Sequence, residues 1–220
     1  MKKNNLCFRG LKFVVLIPCL FSIVAFSKPA ATAEKTDVKQ TNTGDTNQKG
    51  NSFSPKLELE MLNSLIARNG NNADYFYNRG WVYEYTGKTD EAEKDYSRAV
   101  EIDKKQVDAF YNRGVIYMKK GRYDLAIKDF SEVIGLKPGS ADAYCNRGNA
   151  YLQIGETEKA LKDYTSAIKI APQDPDLYYN RALLYLSKGE KVKALEDMKE
   201  AARLGHDKAR EYLKTSGNKL

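Results

Sequence analysis

The chain has 220 residues, with 36 Lys and Arg against 29 Asp and Glu, one His, three Cys and one Trp. The formal +7 is not a nucleic-acid signature: residues 1–33 hold five basic and no acidic residues, which leaves 31 basic against 29 acidic, or +2, for residues 34–220. So small a charge supplies no broad phosphate-binding field. A single histidine, a single cysteine beyond residue 33 and no metal-ligand spacing or phosphate-cradling glycine loop leave catalysis, metals and cofactors without a motif.

Residues 1–33 read as a secretory signal, with Lys2, Lys3, Arg9 and Lys12 before an apolar run over 13–26 and a small-x-small site at Ala31-Thr32-Ala33. The run falls short of the roughly 20 residues needed to span a bilayer, and Pro18 interrupts it. The chain is therefore expected to be exported, with a periplasm as the destination. Retained instead of cleaved, the same run would tether the protein to a membrane, facing away from the cytoplasm. Loss of Cys7 and Cys19 with the signal leaves Cys145 alone, so the mature chain is expected to form no internal disulfide.

Residues 34–54 are Thr, Asn, Gln, Lys, Asp and Gly with almost no apolar side chains, a composition that cannot offset its ordering entropy by burial and predicts a disordered linker. Pro55 opens a helix carrying Leu57, Met61, Leu62, Leu65 and Ile66, closed by Asn69-Gly70; residues 55–72 form an N-terminal cap. Four copies of one unit follow at 73–106, 107–140, 141–174 and 175–208, marked by Asn-Arg-Gly at Asn78, Asn112 and Asn146 and Asn-Arg-Ala at Asn180. The period is 34 residues throughout. A fixed interval of this size denotes stacked supersecondary units, none of which buries its apolar face without a neighbour. Within the third copy Tyr144, Gly148 and Tyr151 share one helical face, Gly155 breaks the pattern, and Ala160, Tyr164, Ala167 and Ile168 resume it before Pro172. Asp174-Pro175 is a helix-start signal. Residues 209–220, with Ala209, Tyr212 and Leu213, close the stack as a C-terminal capping helix and tail.

The pattern resembles the tetratricopeptide repeat. A large aromatic stands at the fourth position (Phe76, Phe110, Tyr144, Tyr178), Gly or Ala at the eighth (Gly80, Gly114, Gly148, Ala182) and Tyr at the eleventh (Tyr83, Tyr117, Tyr151, Tyr185). Ala occupies the twentieth (Ala92, Ala126, Ala160, Ala194), and Tyr96, Phe130, Tyr164 and Met198 the twenty-fourth. Lys104 and His206 replace the terminal proline, which is expected to loosen those two turns. The resemblance implies an all-α fold, a right-handed α-solenoid of helix-turn-helix repeats capped at both ends.

Two further recurrences run through all four copies. Arginine fills the seventh position (Arg79, Arg113, Arg147, Arg181) and aspartate the twenty-third (Asp95, Asp129, Asp163, Asp197), predicting ion pairs across the helix packing, within a repeat or between neighbours. The asparagines beside them are expected to hydrogen-bond neighbouring backbone. Asp74, Asp108, Asp142 and Asp176 place negative charge in each first turn. His206 is expected in a solvated turn.

The resemblance also implies that the first helices line a groove that reads a protein or peptide segment, without enzymatic activity, cofactor or metal. Its candidate residues are Tyr77, Trp81, Tyr85, Tyr111, Met118, Asn149, Leu152, Tyr179 and Leu183, among which the Tyr, Trp and Met are types that anchor binding surfaces. Any one of them could instead pack between repeats. The arrangement does not reproduce the Lys, Arg and Asn set with which some relatives grip a C-terminal carboxylate, and no nucleic acid is expected as a partner.

Overall fold

The computed structural model describes residues 53–217, and the signal and most of the linker expected before the repeats lie outside them. The described residues contain helices and no strand: α1 (Pro55–Arg68), α2 (Ala73–Tyr85), α3 (Thr89–Ile102), α4 (Val107–Lys119), α5 (Tyr123–Leu136), α6 (Ala141–Gln153), α7 (Thr157–Ile170), α8 (Pro175–Ser187), α9 (Lys191–Arg203) and α10 (Asp207–Thr215). None of these is long and apolar enough to cross a membrane. The chain divides after Lys104 into two compact units, whose described parts hold α1–α3 and α4–α10.

In the first unit α2 packs on α1 and α3. Leu62 of α1, Phe76 and Val82 of α2, and Ala92, Tyr96, Ala99 and Val100 of α3 are buried. Asn72 caps α2 by accepting from the Asp74 amide at 2.9 Å, the role a short side-chain oxygen fills at a helix start. In the second unit α4/α5, α6/α7 and α8/α9 pair as hairpins, and α5/α6, α7/α8 and α9/α10 join one hairpin to the next. Phe130, Tyr164 and Met198 are each almost wholly buried at the centre of a hairpin.

The hairpin turn is the same each time. Gly87, Gly121, Gly155 and Gly189 have φ between +70° and +81°, a left-handed conformation that costs glycine nothing and a side chain about 1–2 kcal/mol. With the glycine so turned, its amide and the next one fold back onto the helix: in the third copy Gly155 N donates to Leu152 O at 3.1 Å and Glu156 N to Tyr151 O at 2.9 Å. This Schellman closure satisfies carbonyls the helix end leaves orphaned.

The arginine–aspartate pairs form within each repeat. Each guanidinium donates twice to its carboxylate: Arg79 to Asp95 at 2.7 and 2.7 Å, Arg113 to Asp129, Arg147 to Asp163 and Arg181 to Asp197 all at 2.8 and 2.8 Å. The aromatics at the fourth and eleventh positions flank the same guanidinium; Tyr144 and Tyr151 lie 5.6 and 5.9 Å from that of Arg147, within cation–π range. A third donor reaches back 16 residues to the preceding second helix, from Arg147 Nη1 to Ser131 Oγ at 3.0 Å and from Arg181 Nη1 to Thr165 Oγ1 at 3.2 Å. In the first unit Arg79 Nη1 reaches Asn63 Oδ1 of α1 at 2.8 Å, so α1 serves α2 as a second helix would. One residue thus holds its own hairpin shut and pins it to the helix before.

Two expectations are corrected. Asn146 does not bond local backbone, whose donors and acceptors the helix already uses; its Nδ2 donates to the Tyr111 hydroxyl at 2.9 Å, and Asn180 Nδ2 faces Cys145 Sγ at 3.9 Å. His206 is buried: its Nδ1 accepts from the Ala209 amide at 3.1 Å and caps α10, and Gly205 and His206 close α9 onto Ala202 and Ala201. The turn without proline is therefore tight at this end of the chain. Cys145 is buried.

Candidate functional site

Tyr77, Trp81 and Tyr85 recur every four residues along α2, which lines them up on one face. They form a graded aromatic surface. Tyr77 is half-buried and tilted against Tyr96 at 5.8 Å between ring centroids. Trp81 is stacked on Tyr85 at 5.7 Å with 18° between the planes, and Tyr85 is 56% exposed. Phe53 meets this pair edge-on, 5.4 Å from Trp81 and 5.2 Å from Tyr85. Rings in these arrangements attract beyond the area they cover, and an exposed aromatic cluster is the surface type that anchors partners.

In the second unit the candidate residues are spent largely on internal contacts. Tyr111 is edge-on to Phe130 at 5.8 Å and its hydroxyl accepts from Asn146, while burial, with Asp142 nearby, pushes its ionisation far above the ordinary tyrosine value. Met118 is buried with Tyr117, Ala126, Phe130 and Ala150. Asn149 is wholly buried, and its Oδ1 accepts from the hydroxyl of Tyr164, whose ionisation burial raises in the same way. Leu152 packs on the cluster that holds Cys145, Tyr164 and Leu177, and Leu183 on that of Ala182, Met198 and Leu213. Tyr179 is stacked on His206 at 4.0 Å, with 21° between the rings. Of the nine residues, Tyr85 alone is exposed; Met118 and Asn149 are buried and the other six are half-buried.

The carboxylates of the first turns differ between the first two copies and the last two. Asp74 and Asp108 are exposed, whereas Asp142 and Asp176 are partly buried and both are pushed above the usual carboxylate range, chiefly by burial and then by the nearby Asp174. Asp176 Oδ1 lies 3.4 Å from His206 Nε2. Among the described residues no group of three or more His, Cys, Asp or Glu is placed to hold a metal ion.

Phe53 was not among the residues that periodicity could single out, because it stands alone in a polar stretch. The signal that could have found it is compositional: it is the single aromatic residue between 34 and 72.

Models of the TPR repeat match residues 82–121, 114–155 and 148–189, and a tetratricopeptide repeat model matches residues 175–204. No curated protein matches the chain significantly. Among solved structures the chain is similar to MamA, at 26% identity and a TM-score of 0.65 over 69% of this chain and 89% of that one. It is also similar to MamA residues 41 to end from Desulfovibrio magneticus RS-1, at 21% identity and a TM-score of 0.64 over 68% of this chain and 85% of that one. YrrB, a TPR protein with an unusual peptide-binding site, gives 22% identity and a TM-score of 0.67 over 73% and 84%. At these lower identities the likeness speaks to the fold.

Proposed function

Because the chain belongs to the tetratricopeptide repeat family, we propose that it is a non-catalytic scaffold that holds a protein or peptide segment on the first-helix face of its repeats, outside the cytoplasm. The observation that carries this reading is the Tyr77, Trp81, Tyr85 stripe on α2. A core-facing stripe would be buried along its length, whereas here burial decreases from Tyr77 toward Tyr85, which is 56% exposed. Large rings with few rotatable bonds give contact area at low entropy cost, which suits recognition of a segment that orders on binding. Export rests on residues 1–33, with their basic start, apolar run and small-x-small site.

The test is crosslinking in cells of the tagged protein beside a Trp81→Ala, Tyr85→Ala variant that keeps its far-UV circular dichroism, with captured proteins identified by mass spectrometry. A partner captured by the natural chain and lost in the variant supports the scaffold and its surface; an identical set from both overturns the assignment to this face. The apolar run over 13–26 also favours a second reading, a membrane-tethered form of the same scaffold. The intact mass of the exported protein separates the two, since a chain beginning at Glu34 excludes the tether.

A further inference from the structure

Phe53 directly precedes Ser54, the residue that starts α1. An apolar side chain at this position ordinarily packs on the fourth residue of its own helix, the hydrophobic staple. That residue is Glu58, which offers no apolar partner, and the apolar Leu57 and Met61 of the same helix are 65% and 47% exposed. Phe53 meets Trp81 and Tyr85 of the next helix edge-on. The geometry matches a ligand more closely than a core residue: a lone aromatic in a polar, lysine-containing stretch, seated on the most exposed part of the aromatic stripe.

We infer that Phe53 is a built-in occupant of the Trp81–Tyr85 surface, which takes from a partner an extended polar segment presenting an aromatic side chain in the same way. The inference rests on the scaffold reading and specifies the chemistry that scaffold recognises. A tethered occupant competes at its effective concentration, on the order of millimolar for a short flexible link, and lowers the apparent affinity for an incoming segment by the fraction of time the surface stands open. The partner must displace Phe53, so a segment without an aromatic residue gains nothing from the exchange.

Trp81 is the single tryptophan of the chain, so its emission reports on this surface alone. The test compares the full-length chain with its Phe53→Ala and Phe53→Tyr variants, after circular dichroism has shown equal helix content. The probe is a synthetic peptide of residues 47–57 that carries Phe53. Phe53→Ala is expected to make Trp81 more accessible to acrylamide and to bind the peptide about tenfold more tightly than the natural chain, the occupant having been removed. Phe53→Tyr keeps a ring and is expected to behave as the natural chain does, and the peptide with alanine in place of its phenylalanine is expected to bind none of the three. Equal quenching and equal peptide affinity in the natural chain and Phe53→Ala, or binding to neither, overturns the inference. If that happens while the Trp81→Ala, Tyr85→Ala variant still loses its cellular partner, the scaffold stands and only the built-in occupant falls. If the cellular partner survives that variant, the scaffold's assigned face falls whatever Phe53 does.

Discussion

Replacing Gly114 by alanine sets two opposing effects against each other at one atom. In the middle of α4 alanine is favoured over glycine by about 1 kcal/mol, because it loses less backbone entropy. The added Cβ, however, would stand 2.9 and 3.1 Å from Cε1 and Cζ of Phe130 and 3.3 Å from the Asp129 Cβ. Phe130 cannot retreat cheaply: it is fully buried and has Tyr111 against its face. Overpacking of this kind costs about 1–3 kcal/mol, so Gly114→Ala should be destabilising by a net of about 0–2 kcal/mol. At Gly148 the corresponding distances are 3.3 Å to Tyr164 and 3.4 Å to the Ala160 carbonyl, close to ordinary contact. Gly148→Ala should therefore be neutral or slightly stabilising, and should unfold at higher urea than Gly114→Ala. The fourth repeat has already made the compensated exchange, with Ala182 and Met198 together in one buried cluster. In a Phe130→Met background, Gly114→Ala should accordingly lose its penalty. Urea midpoints followed by far-UV circular dichroism measure all of these, compared as midpoints because repeat arrays depart from two-state unfolding. A Gly114→Ala midpoint above that of the natural chain, or an equal loss at Gly148, would refute the packing argument.

Three other perturbations follow from the same structure. Asp163→Ala strands the guanidinium of Arg147, whose side chain is 19% exposed, and should cost about 3–5 kcal/mol by urea denaturation; the double change Arg147→Met, Asp163→Leu should cost less, and Glu200→Ala at the exposed Arg203 pair should leave the midpoint where it is. Tyr111→Phe deprives the buried Asn146 amide of its acceptor and should cost about 1–3 kcal/mol in the same assay. Burial, aided by Lys208 and opposed by Asp176 and Asp207, holds His206 below its ordinary value of 6.5. The folded state therefore binds protons less readily than the unfolded one, and the contribution of His206 is complete above that value and lost as the pH falls below it. Protonation also removes the Nδ1 lone pair that accepts from Ala209, so amide exchange in α10 should speed up, relative to its intrinsic rate, between about pH 7 and pH 5. His206→Asn, which caps without titrating, should abolish that dependence.

The helical repeat fold was legible because its determinants are local and recur: small residues at the eighth and twentieth positions, an aromatic at the fourth, and a glycine where the chain must turn. The arginine–aspartate pairing was legible as a correlation, and its geometry was not. Positions seven and twenty-three are 16 residues apart, but an arginine is also 16 residues from the twenty-fifth position of the copy before, where Ser131 and Thr165 stand. Both contacts form at once. The candidate surface was less legible because a helix face that meets a partner and one that meets the next repeat obey the same spacing. Trp81 and Tyr85 stack on each other and meet Phe53 edge-on, while Tyr111 and Tyr179, at the place Tyr77 holds in the first copy, are engaged by Asn146 and His206. His206 was misread for a different reason: histidine is an unusual helix cap, and the missing terminal proline pointed to a looser turn.

The backward reach of the seventh-position arginine gives the array a direction. A repeat presents an acceptor at its twenty-fifth position and sends a donor to the acceptor before it, as Arg147 does to Ser131 and Arg181 to Thr165. In the fourth repeat the twenty-fifth residue is Lys199, whose ammonium has no lone pair to offer. A fifth copy stacked beyond it would bring guanidinium against ammonium. Arg210 of α10 donates to the Ala202 carbonyl of α9 at 3.1 Å, so that helix is held by a backbone acceptor and not by the twenty-fifth side chain.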